Sequence, residues 1–488
     1  MPAAFWTGPM ATTIVSVGFE ATAQAAVSTA LTLLIGLPMT YLISRFTFTG
    51  RRLMSVLLTI PFVLPTVVIA LAFVMVLPAQ LEYGLFAVLL AHIYLNLAVV
   101  YRLVGPMLSE ADARYAQVAQ TLGASSLRAN LTFTLRYAAP AIISAAGIVF
   151  VFCFTSLGIV VLLGARETST WEVEILRRTT LISDIDSAVV ISLLQAVLVA
   201  VALGASFLLQ KRSRMPLMRA GLKRDIAEVP RRFAPFIYAA LALFAVLLMA
   251  PIFALFTASL TSRSGFTLNW WRDFWTFEQG TSGYLDPWAA LQTSLTFAVL
   301  TGVVAASVTL AVALLVIVYP NVAGWALLLV LPLGLSAVTV GLGLLVAYGG
   351  GGLGVASSVV LIVIAHSLIA VPLVLSAVLP SVRSLDARMR AVAVTLGAKP
   401  WRAVFTAFGP TLRKAGFLSG GLAAGVSLGE FGAASVLTRI DSMTLPLMIA
   451  RTLNRPGEAS LGIASVAGVL LVVLVALVVW GFDRVATK

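Results

Sequence analysis

Apolar residues come along this chain in runs of twenty or more, separated by short polar stretches and showing almost no helical period inside the runs. Such runs predict membrane-spanning helices. At 1.5 Å per residue, about twenty residues bridge the roughly 30 Å of hydrocarbon, and a helix apolar on every side faces lipid or other apolar helices. Eleven are expected: Gln24–Ser44, Leu53–Leu77, Gly84–Met107, Ala138–Leu163, Ala188–Leu209, Phe233–Phe256, Leu291–Tyr319, Ala323–Tyr348, Leu353–Leu379, Leu412–Leu437 and Leu461–Phe482. The stretch Met1–Phe19, polar and interrupted by Gly and Pro, is not expected to span, and it lacks the charged start and cleavage site of a signal peptide.

Composition agrees with that pattern. Of 488 residues, 60% are hydrophobic and 10% charged, against about 45–50% and 25% in soluble domains, which excludes a soluble enzyme. A single Cys (Cys153) excludes a disulfide framework, and with only two His no metal site is expected. The net charge of +13 would point a soluble chain toward nucleic acid. Here it reads as topology. With the N-terminus outside and the C-terminus cytoplasmic, about 24 of the 32 basic residues fall on the inner side. No nucleic-acid partner is required, and the basic segment around Lys211, Arg212 and Arg214 suits anionic lipid head groups.

One offset recurs. Adding 274 carries His92 onto His366, Asp112 onto Asp386, Gly123 onto Gly397 and Gly158 onto Gly432; over Asp112–Thr132, twelve of twenty-one positions are identical. The chain is therefore two copies of one all-α membrane unit in the same orientation. The expected division is residues 1–209 for the first unit, 210–232 for a basic cytoplasmic linker and 233–488 for the second, with about eleven helices split five plus six. The best-kept part of the repeat is a polar loop of some thirty residues. Ala116–Leu122 has helix-forming composition, Gly123 can break it in a left-handed conformation, and Leu127–Leu135 can form a second short helix. A loop that only joined spans would have no reason to be kept best. Two such knobs, with basic Arg114, Arg128, Arg388 and Arg402, fit a cytoplasmic partner of twofold symmetry.

This loop resembles the EAA loop of binding-protein-dependent ABC import permeases of the MetI-like type. Gly123 and Gly397 take the place of the family's glycine, so its Glu-Ala-Ala falls on Gln117-Val118-Ala119 and Ala391-Val392-Ala393, and the glutamate is missing from both copies. The downstream Pro stands as Pro410 in one copy and is Arg136 in the other. Leu90-Ala91-His92-Ile93-Tyr94-Leu95-Asn96-Leu97, and Ser427-Leu428-Gly429-Glu430-Phe431-Gly432, look like fused permeases of the thiamine and ferric iron groups, closer to thiamine. The resemblance implies a type I importer in the inner membrane. An extracytoplasmic solute-binding protein would deliver a small solute, thiamine or its phosphates or else ferric iron, and two copies of a cytoplasmic ATPase would grip the knobs. Docking residues carried over are Asp112, Arg114, Gln117, Ala119, Gly123 and Arg128, with Asp386, Arg388, Ala391, Ala393, Gly397 and Arg402. No catalytic residue or cofactor is expected on this chain, ATP and Mg being held by the partner subunits; no Gly-x4-Gly-Lys-Ser/Thr loop is present. The Gly349, Gly351, Gly354 pattern has no strand before it and is not read as a nucleotide site.

Polar residues inside spans are costly and therefore informative. Glu430, its counterpart Ser156, the paired His92 and His366, and Asn96 are candidates for the substrate pathway; interhelical bracing is the competing role. Gly421, Gly425 and Gly429 set a small-residue stripe on one helix face. An ion-driven secondary transporter is the remaining alternative, weakened by the scarcity of buried carboxylates.

Overall fold

The structure, a computed structural model, describes residues 9–487 apart from 111–119, 124, 166–167, 214–226, 230–231, 277–285, 320, 322–323, 325–328, 330–333, 349–355, 387 and 439–441. The chain is an all-α polytopic membrane protein. Its first repeat contains α1 (Pro9–Arg45), α2 (Arg51–Val63), α3 (Thr66–Val76), α4 (Leu85–Glu110), α5 (Ser126–Phe154), α6 (Gly158–Leu163), α7 (Trp171–Arg177) and α8 (Ile185–Ser213). After α9 (Ala234–Ala258) and α10 (Asn269–Trp275) come α11 (Pro287–Val318), α12 (Ala337–Tyr348), α13 (Ala356–Arg383), α14 (Arg388–Thr395), α15 (Pro400–Gly429), α16 (Gly432–Leu437), α17 (Leu445–Leu453) and α18 (Glu458–Thr487). The offset of 274 carries α6 onto α16 end for end and starts α7 and α17 at the same place; α1, α4, α5 and α8 meet α11, α13, α15 and α18 within a few residues.

Eight of the eleven expected spans are single long apolar helices. Of the other three, Leu53–Leu77 and Leu412–Leu437 are broken, and Ala323–Tyr348 lies partly outside the described residues. Leu53–Leu77 is no straight span: α2 and α3 meet at 110° at Leu64-Pro65, where Pro removes an amide and its ring disfavours a helical Leu64. From Val67 to Val74, α3 is buried on every face, and a wholly apolar sequence cannot distinguish that setting from lipid. Leu412–Leu437 is broken at Glu430-Phe431, and Ala138–Leu163 likewise parts after Phe154, its first section still long enough to span. Of Ala323–Tyr348, only the α12 part is a described helix.

The start of the chain is corrected too. Helix α1 begins at Pro9, about fifteen residues before the expected span. Gly18 is a packing residue here and not a breaker: a Cβ on it would stand 2.5 Å from the ring of Trp171, whose Nε1 donates to the Ile14 carbonyl at 2.9 Å. The buried face of α1 carries Ala21, Gln24, Ala25, Ser28 and Thr32, while Val15, Phe19 and Leu34 point outward. Small and polar residues inside with large apolar ones outside is the inverse of a soluble helix, as lipid exposure requires.

By packing, the chain divides into two units. The first comprises Met1–Leu64, Ala72–Glu174 and Val190–Leu255. Within it a two-residue parallel ladder pairs Phe46-Thr47 with Ala227-Glu228, and the Tyr94 hydroxyl donates to the Leu248 carbonyl of α9 at 3.0 Å. The second comprises Pro65–Leu71, Ile175–Val189 and Phe256–Lys488. Its core joins Ala305, Val312 and Val316 of α11, Val374 and Val378 of α13, and Phe408 and Leu412 of α15. Helix α11 opens with Asp286 accepting the Trp288 and Ala289 amides, and with Pro287 in the first turn, where no amide is needed.

Candidate functional site

The knob of the second repeat is built by local rules. The Asp386 carboxylate accepts the Arg388 amide at 2.9 Å, opening α14. At the other end the Gly397 amide bonds to the Val394 carbonyl (2.9 Å) and the Ala398 amide to the Ala393 carbonyl (3.0 Å), with Gly397 at φ +90°. That is a Schellman closure, which needs a left-handed residue. Lys399 and Pro400 then start α15. The first repeat repeats the turn: Gly123 has φ +91° and its amide bonds to the Gln120 carbonyl at 3.0 Å. Asp112, Arg114, Gln117 and Ala119 lie outside the described residues, and Arg128 falls in the first turn of α5.

What the knob offers outward is mostly apolar. No residue of α14 is buried. Met389, Val392 and Leu396 fall on one face at spacings of three and four, followed by Trp401 and Phe405 on the next helix, and all five are exposed, Leu396 at 82%. The first repeat shows the same tip, Leu122 at 83%. Arg388, Lys399 and Arg402 flank the stripe, and Ala391 is exposed while Ala393 is partly covered. Sequence reading had singled out the basic residues and missed this stripe, which the spacing of Met389, Val392 and Leu396 could have disclosed.

A second group of candidates lies deep in the helices, in two separate clusters. In the first unit, Nδ1 of the fully buried His92 receives Gln24 Nε2 at 2.7 Å and has Ser28 Oγ at 3.2 Å. Asn96 donates to the His92 carbonyl at 2.9 Å and lies 3.5 Å from Cys153 Sγ. In the second unit, Nδ1 of His366 lies 2.8 Å from Ser427 Oγ and Nε2 lies 3.1 Å from Glu430 Oε2. The equivalent histidines thus have different partners. Ser156, in the place of Glu430, is buried. Among acids, sequence reading placed only Glu430 within a span, yet Glu172 and Glu174 on α7 are also buried, Glu172 accepting Gln195 Nε2 at 2.5 Å. Their alternation in a short polar segment concealed this, because burial there comes from tertiary packing. Among the described residues no cluster of His, Cys, Asp or Glu could hold a metal ion. The Gly349–Gly354 pattern lies outside them.

Residues 32–215 match the protein family described as the inner membrane component of binding-protein-dependent transport systems. That match lies over the first repeat. The constant offset of 274 gives the second repeat the same order of helices. Among relatives, a sulfate transport system permease protein, CysT, of Salmonella typhimurium is 29% identical over 153 residues, covering 29% of this chain and 54% of the relative. The proteins of that name from Escherichia coli (28% over 153 residues) and Synechococcus elongatus (30% over 132 residues, 24% of this chain, 46% of the relative) are similar in the same way. The chain spans about half the length of the curated relatives it matches. These relatives are sulfate permeases by name, where Leu90–Leu97 had pointed to thiamine.

Proposed function

We propose that this chain is the permease subunit of an ATP-driven importer in the inner membrane, with its N-terminus outside and both knobs in the cytoplasm. The observation that carries the reading is the exposed stripe of Met389, Val392, Leu396, Trp401 and Phe405 on a rigid, Gly-turned pair of helices. An apolar edge ringed by Arg and Lys needs a cover, and a groove in each of two cytoplasmic ATPase subunits supplies one. A rigid knob seated in a moving cleft passes the motion on as helix-bundle rotation. The family match over the first repeat supports this, and the basic residues on one side support the orientation. An extracytoplasmic binding protein delivers the solute. The names of the relatives make sulfate or a similar oxyanion the first substrate to test, ahead of thiamine and ferric iron.

The test is uptake into vesicles containing this chain, its ATPase and its binding protein, with radiolabelled sulfate, thiamine and ferric iron compared. ATP-dependent uptake of one of them is expected, and Leu396→Asp should release the ATPase on purification. Uptake that survives ATP depletion but collapses with the ion gradient would establish a secondary transporter instead.

A further inference from the structure

The break between α15 and α16 is held by a carboxylate. Glu430 follows Gly429 directly and is buried; its Oε1 accepts the Ala433 amide at 2.8 Å and its Oε2 the Ala434 amide at 3.0 Å. Oε2 also faces Nε2 of His366 on α13 at 3.1 Å, and the far side of that ring is steadied by Ser427 at 2.8 Å. One side chain therefore ties the end of α15, the first turn of α16 and the middle of α13 together. The helix so fixed has little room to move. A Cβ on Gly432 would stand 2.9 Å from the Ala337 Cβ, and one on Gly341 would stand 3.0 Å from the Ala433 Cα, so α16 and α12 touch almost backbone to backbone.

The first repeat does this differently. Ser156 occupies the place of Glu430, α6 has no side-chain cap at its start, and His92 turns to Gln24 and Ser28 of α1. The charge is thus no requirement of the shared fold. A carboxylate taken into a membrane protein is costly unless partnered, and both oxygens of Glu430 are engaged by the protein itself.

Resting on the importer reading, we propose that Glu430 with His366 is a positioning pair that holds α16 against α12 and sets the rate of transport, not the affinity for substrate. The carboxylate is buried and already faces two amides and an imidazole, which disfavours its use as a substrate ligand. Tightly packed broken helices hold a few discrete arrangements and do not deform smoothly, so loosening the pair changes how fast the subunit passes between them.

Uptake kinetics and hydrogen exchange test this together. Glu430→Gln and His366→Gln should each lower the maximal uptake rate at least about fivefold with KM unchanged, and the double variant should be no worse than the worse single one. In the purified chain in lipid nanodiscs, amides of residues 432–437 should exchange faster in both variants while those of α11 do not change. A KM increase confined to Glu430→Gln at normal maximal rate would make the carboxylate a substrate ligand and overturn the proposal, as would unchanged uptake or additive losses. If Glu430→Gln does not accumulate as folded protein, Ser427→Ala leaves the carboxylate in place and should still lower the maximal rate; an unchanged rate overturns the pair. Faster α16 exchange in a chain that supports no ATP-dependent uptake would refute the importer reading and leave the positioning role of Glu430 standing.

Discussion

A Cβ on Gly123 or Gly397 would meet nothing within 4 Å, so a substitution there acts through the backbone alone. At φ near +90° an L side chain costs about 1–2 kcal/mol, more for a β-branched one. On the importer reading, Gly397→Val together with Gly123→Val should therefore uncouple ATP hydrolysis from uptake while circular dichroism still reports intact helices, and the double Ala variant should be milder. Normal uptake by the Val double variant would remove the knobs from the mechanism. A second residue-scale prediction concerns Asp184. Burial alone would raise its carboxyl, but the Ser187 hydroxyl and amide and the Arg178 guanidinium, 2.8 Å away, outweigh it and hold it below the usual value. A lowered folded value stabilises fully above the unfolded one, about 3.9, and the gain is lost as the pH falls through the folded value. Asp184→Asn should melt earlier than the parent at neutral pH, the difference closing in acid; a gap that persists there would assign the loss to packing. The glycines were legible in the sequence because a repeated Gly between two helical stretches has a backbone reason. Asp184 was not, because its value depends on where Arg178 is folded back.

At the scale of elements, the stripe Gly421, Gly425, Gly429 does pack closely, mainly against side chains: Phe482 and Val479 of α18 and the ring of Pro65. The nearest backbone approach is one residue away, where a Cβ on Gly302 of α11 would stand 2.9 Å from the Gly420 carbonyl oxygen of α15. A carbonyl in a helix cannot rotate aside as a side chain can. Gly302→Ala should thus push α11 off α15 and cost about 1–3 kcal/mol, seen as a lower melting temperature in detergent, whereas Gly425→Ala, whose nearest neighbour is a Val479 methyl at 3.3 Å, should cost less. The opposite order would mean that α15 packs mainly through the predicted stripe. Sequence spacing identified a face of α15 that does pack closely, a Cβ on Gly421 running into the Phe482 Cβ, but not Gly420, because i, i+4 marks a face without naming every residue at a crossing point.

Over the whole molecule, hydropathy alone established a polytopic all-α chain, and the 274-residue offset established its duplication, since both are properties of residue order. The left-handed turns of the knobs belong with them, because Gly is the residue that takes such φ values without strain. The break at Pro65 has a sequence reason in its proline, but only the tertiary structure decided that two further apolar runs part after Phe154 and at Glu430, because lipid and a protein interior are equally apolar to a passing sequence. It also decided that Glu430 meets two amides of α16 and faces His366 in one repeat, while Gln24 and Ser28 meet His92 in the other. Buried polar groups are satisfied by whichever neighbour the fold brings within about 3 Å, and residue order does not carry that distance.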